Sequence, residues 1–195
     1  MSLKISVIGA GYIGLVTAAC LASDGFEVVC VEKDGAKLQL LKNGEAPFHE
    51  PGLKDLLRAG TASKKLEFTS DIEEAINVSR FFFICVGTPS LATGQADLSQ
   101  VYSAVKDIYQ KVKSDSIIVM KSTVPPGTGL RLIDEIWQNH KNGAKINYVS
   151  NPEFLREGQA INDWQKPDRV VIGADNEGAA ETVKSLYKNV QAPIL

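Results

Sequence analysis

Hydrophobic and polar positions along this chain follow two periods in alternation. Short, almost wholly apolar runs read as buried strands, and longer stretches with apolar residues at three- and four-residue intervals read as helices with one face inward. The strand-like runs are Lys4 to Ile8, Glu27 to Val31, Leu66 to Thr69, Arg80 to Val86, Ser116 to Met120, Asn147 to Ser150 and Arg169 to Ile172. Helices are predicted from Gly14 onward and over Asp34 to Asn43, Gly52 to Arg58, Asp71 to Asn77, Leu98 to Val112, Leu130 to Asn139 and Glu177 to Lys188. The Leu98 to Val112 stretch is the clearest, with Val101, Ala104, Val105, Ile108 and Val112 at helical spacing. Asp34 is a natural N-cap for its helix, and Gly44 to Pro51 reads as a polar, proline-containing loop. Strands alternating with helices of this length predict an α/β fold, a doubly wound and mostly parallel sheet with helices on both faces.

The first strand–helix junction carries chemistry. It reads Gly9-Ala10-Gly11-Tyr12-Ile13-Gly14, and Glu32 follows 18 residues after the last glycine, at the end of the second strand. Each part of that spacing has its own task in a Rossmann-like dinucleotide site. The first glycine permits a tight turn, the second lets backbone approach a pyrophosphate, and the third lets helix and strand pack closely. The helix start offers unpaired N–H groups and a positive dipole end to the phosphates, and the Glu32 carboxylate can accept hydrogen bonds from a ribose diol. Lys33 and Lys37 beside it raise a 2′-phosphate, hence NADP, as an alternative. Charge repulsion from Glu32 favours NAD.

In an open α/β sheet, ligands bind beyond the carboxyl ends of the strands. Three further segments start there: Val86-Gly87-Thr88-Pro89-Ser90, Lys121-Ser122-Thr123-Val124-Pro125-Pro126-Gly127-Thr128, and Asn151-Pro152-Glu153-Phe154-Leu155-Arg156-Glu157-Gly158. Each brings hydroxyls, carboxylates or open backbone to one rim, so together with the glycine turn they predict a site. A helical turn over Glu153 to Glu157 would set both carboxylates on one face, at i, i+4 spacing. Plain structural readings stand beside these: a strand-ending turn at Thr88-Pro89, a rigid turn at Pro125-Pro126-Gly127, a surface position for Lys121, and an ion-pair role for Arg169. Trp137 and Trp164 read as packing residues, and His49 and His140 as solvated.

Composition narrows the picture without redirecting it. The 195 residues include 44% hydrophobic and 23% charged side chains, ordinary for a globular chain, and the length suits a single domain. A net charge of −2 gives no basic field for nucleic acid and no attraction to an anionic membrane. No apolar run is long enough to span a bilayer, and no secretory signal is visible, so the cytoplasm is the expected location. Cys20, Cys30 and Cys85 are odd in number, lack metal-type spacing and lie among apolar neighbours, which predicts buried thiols and no disulfide framework, with Cys85, near a strand's carboxyl end, alternatively facing the site.

These segments resemble the N-terminal, NAD-binding domain of the UDP-glucose/GDP-mannose dehydrogenase family. The resemblance rests on GAGYIGLVTAACLA near the start, HEPGL at His49 to Leu53, VGTP at Val86 to Pro89, KSTVPPGT at Lys121 to Thr128, NPEFLREG at Asn151 to Gly158 and PDRVVIG at Pro167 to Gly173. The PEFLREG stretch is most like the UDP-glucose branch. The resemblance implies NAD as cofactor, a nucleotide sugar as substrate, and a four-electron oxidation of a C6 hydroxyl to a carboxylate through a thioester on a cysteine. It implies that Gly9, Gly11, Tyr12, Ile13 and Gly14 form the dinucleotide turn, with Glu32 and Lys37 at the adenosine. Val86, Gly87, Thr88, Pro89, Ser122 and Thr123 would lie along the cofactor, with Glu157 near the nicotinamide. Thr123 would also help place a water for which Glu153 is the general base, and Glu153, Phe154, Leu155, Arg156 and Glu157 would line the sugar-nucleotide site.

One part of the family pattern is absent. The nucleophilic cysteine lies in a glycine-rich motif beyond this length, after a long helix that also forms the dimer core. None of the three cysteines matches it. The expectation is therefore a fragment, or a short chain, that binds NAD without turning over alone and can be monomeric, whereas complete family members form dimers or larger oligomers. GDP-mannose and UDP-N-acetylmannosamine dehydrogenases, and a non-catalytic NAD-binding module, stay open as alternatives.

Overall fold

The computed structural model describes residues 3–136 and 143–195. Strand β1 (Lys4–Ile8) turns into helix α1 (Tyr12–Ser23) and returns as β2 (Glu27–Val31), followed by α2 (Gly35–Lys42), α3 (Leu53–Ala62) and β3 (Leu66–Thr69). The second half runs α4 (Ile72–Val78), β4 (Phe81–Ile84), α5 (Ser99–Lys111), β5 (Ser116–Met120), α6 (Thr128–Ile136), β6 (Ile146–Ser150), α7 (Ala160–Gln165), β7 (Gly173–Ala174) and α8 (Glu177–Ser185). The strands form one sheet in the order β3-β2-β1-β4-β5-β6-β7, parallel throughout except for β7, which is antiparallel to β6. No helix among the described residues is long and apolar enough to cross a membrane.

The strands are apolar because both faces of the sheet are covered. The side-chain period of two divides them between two cores. Ile5 and Val7, Phe81 and Phe83, and Ile117 and Val119 pack on the side of α1, α3, α7 and α8. Phe82 and Ile84, and Ile118 and Met120, pack on the side of α4, α5 and α6. Helix α1 is wedged between the sheet and α3 and α7, so every residue from Gly14 to Ala22 is buried. Such a helix shows no amphipathic stripe. The Asp34 side chain accepts a 2.8 Å bond from the Lys37 N–H and caps α2 as expected.

Several features depart from the sequence expectation. Helix α3 runs to Ala62 instead of Arg58. Helix α8 ends at Ser185, short of Lys188. Arg169 to Ile172 is not a sheet strand: Val170 and Ile172 bond to Pro193 and Leu195, and the last strand is the pair Gly173–Ala174. Residues 151–156 form no helix, so no helical turn aligns Glu153 with Glu157. The expected helix from Leu130 to Asn139 starts at Thr128 and is described to Ile136; Trp137 and His140 lie outside the described residues.

Candidate functional site

Strand order reverses between β1 and β4, since the chain moves outward from β1 to β3 and then resumes on β1's other side. Crevices at such a reversal, beyond the strands' carboxyl ends, are where doubly wound sheets hold ligands. Here the crevice is a cleft of about 570 Å³, floored by Gly9 and Gly11 after β1, Glu32 and Lys37 after β2, and Val86 and Gly87 after β4.

The glycine turn fits a dinucleotide in detail. Gly9 has φ +98°, and a Cβ on Gly14 would stand 1.9 Å from the Gly9 carbonyl oxygen. Both positions therefore exclude a side chain on the protein's own account. Gly11 differs: a Cβ there would meet nothing within 4 Å. Nothing in the protein's packing demands a glycine at that point, and the open space in front of it would admit the close approach of a ligand phosphate. Gly11 is also the N-cap of α1, whose first-turn N–H groups, from Tyr12, Ile13 and Gly14, have no partner within the helix.

At the other end of the cleft Glu32 is held ready. Its Oε1 accepts a 3.0 Å bond from the Asp34 N–H, and its Oε2 lies 2.8 Å from Lys37 Nζ. Lys37 is thus committed to Glu32 and is not a spare cation for a 2′-phosphate. This favours a ribose diol over its phosphorylated form.

The remaining predicted residues gather beside the cleft and are tied to one another. Thr88 Oγ1 donates to the Thr123 carbonyl at 2.9 Å, and Ser122 Oγ donates to the Val86 carbonyl at 2.7 Å. The loops after β4 and β5 are thereby fastened together, leaving Pro89 and the Thr123 side chain exposed. Glu153 is half-buried, and its Oε2 accepts a 2.6 Å bond from the Leu155 N–H, which fixes that carboxylate. Glu157 is exposed.

A second cavity of about 250 Å³ opens beneath the Asn151 to Gly158 loop. Phe154, Leu155 and Arg156 line one wall, Lys121 and Asn151 the floor, and Trp164 and Tyr187 the far side. Arg156 is already paired: its guanidinium grips Asp163 at 2.7 and 3.0 Å, while its N–H adds a third bond at 2.9 Å. These bonds hold the Asp163 carboxyl below the usual carboxylate range and raise Arg156. The Arg169 guanidinium lies 4.6 Å from the Phe154 ring centre, a cation–π contact.

Lys121 overturns the surface reading. Only 4% exposed, it lies 3.3 Å from Asn151 Oδ1 and 5.7 Å from the Trp164 ring centre. Burial pulls its ammonium down to about 8, with Cys85 and Glu153 opposing that shift. Tyr187 donates to the same Asn151 oxygen, and burial pushes its hydroxyl up.

The three thiols are buried as expected. Cys85 lines the cofactor cleft, where burial pushes it up to about 12 against the pull of Lys121. Cys20 and Cys30 are raised further by the same cause. Sequence reasoning also passed over Glu50 and Asp163. Glu50 sits inside the quoted HEPGL motif, and Asp163 follows Arg156 at a distance that no local periodicity flags.

The sequence matches the NAD binding domain of the UDP-glucose/GDP-mannose dehydrogenase family over residues 3–191. It is 46% identical over 200 residues to the UDP-glucose 6-dehydrogenase of Rhizobium meliloti, an alignment covering 99% of this chain and 45% of that protein. To the GDP-mannose 6-dehydrogenase of Pseudomonas syringae it is 38% identical over 199 residues, covering 99% of this chain and 45% of that protein. The fold superposes on a UDP-glucose dehydrogenase from the archaeon Pyrobaculum islandicum with a TM-score of 0.94 at 39% identity, covering 100% of this chain and 46% of that one. The chain therefore spans a little under half the length of these relatives. With its glycine turn, the acid at Glu32 and this match, the chain belongs to the UDP-glucose/GDP-mannose dehydrogenase family and is that family's NAD-binding domain.

Proposed function

We propose that this chain is the cofactor half of a UDP-glucose 6-dehydrogenase, which oxidises the sugar C6 hydroxyl to the carboxylate of UDP-glucuronate. The observation that carries the reading is the convergence of two loops on one rim. The glycine turn of the cleft and the loop bearing Glu153 and Glu157 are joined where the Gly158 N–H bonds to the Tyr12 hydroxyl. Identity to the Rhizobium UDP-glucose enzyme, 46%, exceeds that to the Pseudomonas GDP-mannose enzyme, 38%, which favours glucose over mannose.

In this reading Gly9, Gly11 and the α1 start carry the pyrophosphate, and Glu32, buttressed by Lys37, takes the adenosine ribose. Bound NAD⁺ supplies the hydride acceptor. Thr123 presents its exposed hydroxyl to a water, and Glu153, held by the Leu155 N–H, takes that water's proton during hydrolysis of a thioester. Phe154, Leu155 and Arg156 form a wall for the sugar nucleotide, with Asp163 keeping Arg156 in place. The nucleophilic thiol comes from elsewhere, because Cys20, Cys30 and Cys85 are buried and resist ionisation. On its own the chain binds NAD without turnover.

The buried thiols also suit a second reading, an NAD-binding module with no catalysis. Assaying the complete gene product with UDP-glucose, GDP-mannose and UDP-N-acetylmannosamine, while following NADH, separates the possibilities. UDP-glucose should be the best substrate. Preference for another sugar, or no NADH from any, would refute the proposal.

A further inference from the structure

Glu50 stands outside both cavity walls described above, yet it is among the most heavily bonded acids of the chain. It is 5% exposed. A carboxylate buried to that degree persists only where donors surround it, and these come from distant parts of the sequence. Its Oε2 accepts from the Tyr12 hydroxyl and, at 2.8 Å, from the Gly158 N–H; its Oε1 faces the Ile161 N–H at 3.5 Å. The Tyr12 hydroxyl itself lies 3.0 Å from the Gly158 nitrogen and 3.4 Å from the Arg156 carbonyl. Tyr12 is braced from behind by Phe48, its ring centre 5.0 Å away.

The placement of these partners matters more than their number. Tyr12 opens α1, the helix whose first turn carries the cofactor phosphates in the proposed function. Gly158 closes the loop that carries Glu153 and Glu157, and it holds a left-handed φ of +82°. Ile161 lies in α7, which also carries Asp163, the partner of Arg156. One carboxylate thus joins the dinucleotide turn, the sugar-nucleotide loop and the helix that buttresses that loop.

We propose that Glu50 is a positioning residue that clasps the Glu153–Gly158 loop to the dinucleotide turn, so that the nicotinamide end of the cofactor meets a preset loop. The inference rests on the proposed placement of Glu157 beside the nicotinamide. Glu50 itself touches no ligand; it acts through Tyr12 and Gly158. A burial-dominated rise of the Tyr12 hydroxyl to about 12, reinforced by its bond to Glu50, accords with a hydroxyl that stays protonated and donating.

NAD⁺ and ADP-ribose differ only in the nicotinamide, so their relative affinities read the clasp directly. In calorimetric titrations of the chain, Glu50→Gln should weaken NAD⁺ by about tenfold while leaving ADP-ribose within about twofold of wild type. Equal weakening of both ligands would make Glu50 a general support of the turn and overturn the proposal, as would no change in either. A Glu157→Gln variant with an unchanged NAD⁺ to ADP-ribose ratio would remove Glu157 from the nicotinamide and leave the Glu50 result to decide the clasp. Should Glu50→Gln fail to fold, hydrogen exchange of the Gly158 amide in the wild-type chain gives the same decision. NAD⁺ should slow that exchange and ADP-ribose should not, and equal slowing by both, or by neither, would overturn the clasp.

Discussion

The Glu32 carboxylate lies 2.8 Å from Nζ of Lys37, five positions along the same chain, and in the proposed reading that pair tunes the cleft's preference between NAD⁺ and NADP⁺. With Lys37 engaged, the adenosine end presents an oriented acid and no unpaired cation from that side chain. Glu32→Gln should weaken NAD⁺ about 10- to 100-fold, the range for losing charged hydrogen bonds. The same change releases Lys37, so the preference for NAD⁺ over NADP⁺ should narrow. Titrating the variant with both cofactors checks this, and an unchanged preference would count against it.

Two glycines three residues apart should behave oppositely. Gly14→Ala drives a methyl group into the Gly9 carbonyl. It should cost several kcal/mol of stability, about the scale of overpacked core sites, and lose NAD⁺ binding with it. Gly11→Ala meets open space at an ordinary φ of −64°. Its stability should hold or rise by up to about 1 kcal/mol, while NAD⁺ affinity falls. Thermal melts and NAD⁺ titrations of both variants test the contrast.

Burying the Lys121 charge should show in the pH dependence of stability. The native ammonium titrates near 8, against 10.5 when exposed, because burial disfavours its charge. Between those values the unfolded chain holds more protons, so unfolding free energy gains a contribution that rises with pH. The penalty is fully present below the native value and gone above the unfolded one. Lys121→Met removes it, so the variant's stability advantage should be largest near about pH 7 and shrink toward about pH 9.5, by at most about 1.4 kcal/mol per pH unit. Cys85, Tyr187 and Glu153 face the same region but are common to both proteins, so urea unfolding of the pair isolates the lysine. A constant difference across that range would contradict the assignment.

Much of the cofactor side was legible in the chain because its signals are local. The glycine turn, the cap at Asp34 and the acid at Glu32 lie within one βαβ unit, and the apolar runs at Phe81–Ile84 and Ser116–Met120 leave no reading but buried strands. The sugar side was harder to read because its determinants are long-range. Val170 to Ile172 has the composition of a strand, but its backbone bonds go to Pro193 and Leu195 instead of the sheet. Lys121 is buried by Trp164 and Tyr187, which belong to later parts of the chain. Helix α7 has six residues and no side-chain cap, so neither periodicity nor a start signal announced it. Glu50 earns its place only through Tyr12 and Gly158, and no local pattern encodes that meeting.

The general-base role proposed for Glu153 has a kinetic signature. In the complete gene product, Glu153→Gln should slow hydrolysis of the covalent intermediate by about 10²- to 10⁴-fold, the usual contribution of general-base catalysis. Mass spectrometry of the variant after mixing with UDP-glucose and NAD⁺ should show a sugar-nucleotide adduct. Unchanged turnover with no adduct would refute the role.

The location of the cofactor underlies all of these expectations except that for Lys121, and residue-resolved amide spectra during an NAD⁺ titration test it most directly. Shifts should concentrate at Gly9 to Gly14, Glu32 to Lys37, Val86 to Thr88, Ser122 and Thr123, and extend to Glu157. Saturable binding with shifts elsewhere, such as around Leu130 and Tyr148, or no binding by the folded chain, would contradict the account.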